Sequence, residues 1–230
     1  MSQKNDYPIH CPQCQHAFSQ ALYDAVTLAE EPEAKQALLG NTLNRVLCPE
    51  CQHDFRIDKA LLYNDAANGL LIYWMPATGD QVDAVINQFD DMMQAMAEIT
   101  PDGVTPPSVQ LVLERTELIE RIFLHDAELD PATIEYIKHL LYSRNLEQIP
   151  PDQKALLFDT SQTDDEKLVF VVQDIATKQL QGMLEFPTEA YTTLLDSLHD
   201  GDEEGAKNVV KELFPGPYIS ARALLLSEED

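Results

Sequence analysis

Four cysteines, and no others, stand in the 230-residue chain, grouped as Cys11-Pro12-Gln13-Cys14 and Cys48-Pro49-Glu50-Cys51. With their flanks, Cys11-Pro-Gln-Cys-Gln-His-Ala-Phe18 and Cys48-Pro-Glu-Cys-Gln-His-Asp-Phe55 agree at six of eight positions. A C-x-x-C turn puts two sulfurs on one side of a tight loop, which is half of a tetrahedral shell. Two such loops complete a four-thiolate site for Zn²⁺. Proline inside each loop fixes one backbone angle and lowers the entropy cost of forming it. The duplication predicts two loops meeting about a local twofold, as in a zinc ribbon, with Phe18 and Phe55 packed beneath the ion. The ligands expected for one structural zinc are therefore Cys11, Cys14, Cys48 and Cys51.

The same string admits other chemistry. A Cys-Pro-x-Cys pair also serves as a redox dithiol, but such a pair sits at a helix N-terminus, whose dipole lowers the thiol pKa. Here the first pair is followed by Gln-His-Ala-Phe-Ser-Gln, which has no helical period. His16 or His53 offers nitrogen for a mixed shell, although four thiolates already saturate zinc. Four cysteines also make an iron or iron–sulfur site. The residue after each second cysteine is Gln15 or Gln52, where a left-handed backbone favours glycine. That strain, about 1–2 kcal/mol, is small beside the ~10–16 kcal/mol that structural zinc contributes to folding.

At these paired motifs the chain resembles the CpXC family of bacterial proteins. The likeness continues through Leu61-Leu-Tyr-Asn-Asp65 to about Leu141. The resemblance implies zinc at the same four cysteines and implies no reaction.

The fold expected is α+β: an N-terminal zinc-ribbon-like sheet elaborated with helices, then a small C-terminal α+β unit. The domain boundaries expected are 1–147 (ribbon core 7–76, helical part 80–145) and 152–230, with Ile149-Pro150-Pro151-Asp152 as linker. Phe18–Leu28 reads as strand. Glu31–Gly40 reads as a short helix, with proline near its start and glycine past its end. Asn68-Gly69 marks a hairpin between Ala60–Tyr63 and Leu70–Met75 that would extend the ribbon sheet. Apolar spacing from Val82 to Ile99 predicts an amphipathic helix capped by Asp80, with Met92, Met93 and Met96 read as core and, as the alternative, as an adaptable partner-binding stripe. Thr100–Pro107 reads as a hinge and Val109–Glu114 as a strand. Thr116 is expected to cap one helix and Asp130-Pro131 to open another; His125 and His139, on these segments, have no partner motif. Beyond the linker, three strands (155–158, 168–172 and 179–186) precede a helix from Pro187-Thr188. An acidic turn at Asp200–Gly205, lacking the spacing of a calcium loop, is followed by a short helix and a final strand, Tyr218–Leu226.

The formal charge is −25 and is spread along the chain. It opposes duplex binding through clustered Lys and Arg and a polybasic membrane contact. No apolar run approaches the roughly 18–20 residues of a membrane span, and the first residues lack the apolar stretch of a secretion signal. The expectation is a cytoplasmic protein whose cysteines stay reduced, with a protein partner, no nucleic acid and no membrane. No nucleophile elbow, phosphate-cradling glycine loop or H-E-x-x-H is present. The function expected is thus non-catalytic zinc binding in a scaffold or interaction role; the alternative is a thiol oxidoreductase or redox sensor using one Cys-Pro-x-Cys pair.

Overall fold

The computed structural model describes residues 1–101, 108–199 and 206–227, and the fold is α+β. The chain divides into two compact units, Met1–Ile119 and Glu120–Asp230. Among the described residues no helix is long and apolar enough to cross a membrane.

In the first unit, β1 (Gln3–His10) and β2 (Ala17–Thr27) form an antiparallel hairpin with the first cysteine pair at its turn. Helix α1 (Glu33–Leu39) follows, burying Ala34 and Leu38. It stops at Gly40, where a Cβ would lie 2.9 Å from the Gln36 carbonyl. Arg115 donates to the carbonyl of Leu38 near the same end. Strands β3 (Arg45–Leu47) and β4 (Asp54–Arg56) form a second hairpin with the second cysteine pair at its turn.

Strands β5 (Leu61–Asp65) and β6 (Leu70–Trp74) pair antiparallel across Gly69, whose φ is +78°. Their alternation places Leu61, Tyr63, Leu70, Ile72 and Trp74 in the core. The register sets Leu61 opposite Trp74 and Tyr63 opposite Ile72, so the buried residues pack in cross-strand pairs. This hairpin does not continue β3 and β4. It joins β2 in parallel and is extended by β7 (Gln110–Val112), giving the order β1-β2-β5-β6-β7. The second cysteine hairpin stays a separate two-stranded sheet.

Helix α2 (Val82–Ile99) lacks the Asp80 cap expected. Gly79–Gln81 forms a tight 3-10 turn and Gln81 holds the cap position without a side-chain bond. Phe89 is its one buried residue, while Met92 is exposed and Met93 and Met96 are half-buried, so the methionine face is only partly in the core. Most of the hinge read at Thr100–Pro107 lies outside the described residues.

Helix α3 (Arg115–Asp126) begins before Thr116. Its start is held by Glu117 Oε2, which accepts the backbone N–H groups of Leu113 at 2.9 Å and Glu114 at 3.0 Å. The chain passes into the second unit within this helix.

In the second unit, Asp130 caps α4 (Pro131–Arg144), accepting the Thr133 N–H at 2.7 Å with proline in the first turn, as the sequence predicts. Strands β8 (Lys154–Phe158), β9 (Lys167–Asp174) and β10 (Leu180–Pro187) form an antiparallel sheet in the order β10-β9-β8. Helices α5 (Thr188–His199), α6 (Ala206–Leu213) and α7 (Ala221–Ser227) complete it. One core joins Ile134, Ile137 and Leu141 of α4 to Leu156, Phe158, Leu168 and Phe170 of the sheet and to Leu225 of α7. Ile149, read as linker, is 5 % exposed within that core, so Ile149–Asp152 lies inside the unit. The strand expected over Tyr218–Leu226 is instead α7. Ala-Arg-Ala-Leu-Leu-Leu is built of strong helix formers, and the Ala221 N–H is taken by Glu135 Oε2 at 2.9 Å. The acidic turn at 200–205 lies outside the described residues.

Glu120, Arg121, Glu135 and Lys138 are each no more than 5 % exposed, and their formal charges sum to zero. Lys138 Nζ meets Glu120 Oε2 at 2.5 Å and Glu135 Oε1 at 2.9 Å. Glu120 Oε1 accepts the Phe158 N–H at 2.7 Å, and Arg121 donates to the Ile219 carbonyl at 2.6 Å. These bonds tie α3, α4, β8 and the start of α7 together. Burial raises the Glu135 pKa, but the Lys138 and Arg121 charges and the Ala221 N–H outweigh it and hold the group below its ordinary 4.5. A depressed carboxylate stabilises the fold above its unfolded value and loses that contribution as pH falls through the folded one. In urea titrations the second unit is therefore expected to weaken as pH falls below about 4.5, the ordinary value of a glutamate carboxyl. Lys138→Met, which takes the cation from buried Glu120 and leaves buried Glu135 with Arg121 alone, is expected to cost about 3–5 kcal/mol at neutral pH.

Candidate metal centre

Each cysteine loop is the turn of a hairpin, and the two turns repeat each other bond for bond. Cys11 N–H donates to the His16 carbonyl at 2.9 Å and Gln15 N–H to the Cys11 carbonyl at 2.9 Å. In the second loop Cys48 donates to His53 at 2.9 Å and Gln52 to Cys48 at 3.0 Å. Gln15 and Gln52 adopt φ of 62° and 58°, the left-handed backbone expected of them. Their side chains turn back on the loops: Gln15 Nε2 reaches the Pro12 carbonyl at 3.4 Å and Gln52 Nε2 that of Pro49 at 3.3 Å.

Beneath the loops the strands also correspond. Ile9 pairs with Phe18 across the first hairpin and Val46 with Phe55 across the second. Ile9, Leu22 and Val46 form a small core against which Phe18 and Phe55 pack. Asn44 fastens the start of the second hairpin to β2, accepting the Tyr23 N–H at 2.8 Å and donating to its carbonyl at 3.1 Å. No sequence pattern announces that bond, since an asparagine in a loop is unremarkable until its partner is known.

The four Sγ atoms lie within 4.8 Å of one another, and both Cys11–Cys51 and Cys14–Cys48 are 3.6 Å apart. A tetrahedral shell with metal–sulfur bonds of about 2.3 Å sets sulfur–sulfur separations near ~3.8 Å. The donor set therefore fits a thiophilic ion in both chemistry and spacing. Burial pushes the Cys11 thiol up, but the N–H groups of Cys14 and Gln13 and the neighbouring thiols bring it to about 6. The His53 N–H lowers the Cys51 thiol, yet burial and the three other sulfurs push it up to about 12. Thiols this crowded release protons one at a time, and a divalent cation among them is what lets all four ionise.

The histidines stand outside the cluster. His16 stacks on Phe18 with centroids 6.1 Å apart, and His53 on Phe55 at 5.6 Å. His125 is half-buried on α3 and the Nδ1 of His139 is buried on α4; neither belongs to a group of metal-ligating side chains among the described residues. Glycine at 15 and 52 would relieve the backbone strain but forfeit the long glutamine bonds. Gln15→Gly and Gln52→Gly are each expected to stabilise the metal-loaded chain by under about 1 kcal/mol, read as a small rise in thermal midpoint. A fall in the midpoint would contradict it.

No curated protein and no solved structure matches the chain. A family model described as CpXC protein matches residues 9–138, a stretch that includes both cysteine loops and strands β2 to β7 and ends within α4. Covering more than half of the sequence and all four clustered cysteines, that match places the chain in the CpXC family.

Proposed function

We propose that the chain is a non-catalytic, cytoplasmic zinc protein, with one Zn²⁺ held by Cys11, Cys14, Cys48 and Cys51 in a zinc-ribbon-like arrangement. It acts through contact with a protein partner. The observation that carries the reading is the convergence of four sulfurs from two duplicated hairpin turns. Four thiolates saturate zinc and leave no open position for a substrate, so the ion organises structure. An oxidoreductase would place its dithiol at a helix N-terminus, whereas each pair here lies between two strands. The net charge of −25 argues against nucleic acid. Apolar surface for a protein contact is offered by Leu47, 55 % exposed next to Cys48, and by Met92 and Ile99 at one edge of α2, 38 % and 82 % exposed.

Metal analysis of the purified chain is expected to find one zinc. Stripping it should abolish the β-sheet circular dichroism of the first unit while the urea transition of the second persists. Spectra unchanged after complete stripping would contradict the structural role, and iron in place of zinc would contradict the metal. His16→Ala and His53→Ala are expected to retain one zinc, whereas Cys48→Ser is expected to lose it; zinc loss on either histidine change would point to a mixed shell.

A further inference from the structure

The four sulfurs are not equivalent. Cys11 and Cys48 are 0 % exposed, Cys51 is partly exposed and Cys14 is exposed. An oxidant therefore meets Cys14 first; the Cys48 sulfur of the other hairpin lies 3.6 Å from it, within a cluster whose four sulfurs all lie within 4.8 Å of one another. The local symmetry repeats the arrangement with the partly exposed Cys51 3.6 Å from the buried Cys11. Neither Ile9–Phe18 nor Cys48–Phe55 contains Lys or Arg. Four thiolates around a divalent ion thus keep a net charge of −2 with no cation supplied by either loop, and thiolate character is what governs oxidation.

Resting on the zinc reading above, the geometry points to Cys14 as a site of oxidation by peroxide, resolved by Cys48 into a disulfide between the loops with release of the zinc. The Cys14 sulfur attacks one peroxide oxygen: an S–O bond forms, the O–O bond breaks, and the departing hydroxide takes a proton to become water. The Cys48 sulfur then attacks the Cys14 sulfur. The S–S bond forms, the S–O bond breaks, and the second hydroxide leaves as water with a second proton. Two electrons pass from the two thiolates to one peroxide, and two ligands are left for the ion. A second peroxide joins Cys51 to Cys11 in the same way. Cross-loop bonds add a covalent tie between the hairpins once the ion has gone, whereas bonds within each Cys-Pro-x-Cys loop would leave them held only by the Asn44–Tyr23 bonds and the small core of Ile9, Leu22 and Val46.

The test treats the full chain with stoichiometric hydrogen peroxide, follows released zinc with a coloured chelator, and maps disulfides by mass spectrometry of a non-reducing digest. Metal content is measured on the untreated protein first. The expected result is one zinc lost per first disulfide, with Cys14–Cys48 and Cys11–Cys51 peptides exceeding within-loop pairs by about tenfold. Zinc retained under peroxide, predominance of Cys11–Cys14 and Cys48–Cys51, or sulfinic and sulfonic acids without disulfide would overturn the inference and leave the zinc reading standing. Absence of zinc from the untreated protein would instead defeat the zinc reading, and the peptide map would still decide the pairing.

Discussion

In the first unit, sulfurs from loops separated by 33 intervening residues come within 4.8 Å of one another. Closing such a loop costs entropy before any contact rewards it. The segment that returns is poorly equipped to hold itself, since β3 and β4 are three residues each and a two-stranded hairpin is marginal at best in water. Ile9, Leu22 and Val46 give it a small core, and the paired bonds of Asn44 to Tyr23 give it an edge. These contacts set the hairpin's position. On the zinc reading proposed above, a metal–thiolate centre would supply the energy to keep it there, because binding free energy at such a site is folding free energy.

The second unit rests on different physics. Its core runs continuously from α4 through the three-stranded sheet to α7, and its buried polar groups form a neutral, mutually bonded set around Lys138. A network of this kind favours one packing of the elements it joins, while removing one member leaves a charge in a dry interior.

The features legible in the sequence were those with local causes. The two Cys-Pro-x-Cys turns, the left-handed glutamines after them, the glycine-centred turn at Gly69 and the Asp130-Pro131 helix start each follow from a few adjacent residues. What was not legible depended on distant partners. Gln3–His10 is mostly exposed and shows no alternation, so it becomes a strand only beside β2. Nothing nearby in the chain reveals that Glu120, Arg121, Glu135 and Lys138 are buried and neutralise one another. Ala221–Ser227 alternates weakly enough to pass for a strand until Glu135 is seen to take its first N–H. The prolines at 150 and 151 suggested a linker, yet Ile149 beside them is a core residue.

The central claim is that Cys11, Cys14, Cys48 and Cys51 share one zinc ion. X-ray absorption at the zinc edge of the purified chain tests it most directly. Four sulfur neighbours at a single distance of about 2.3 Å are expected, with no nitrogen or oxygen in the shell. Histidine or water scattering in the first coordination sphere, or fewer than four sulfurs, would contradict it.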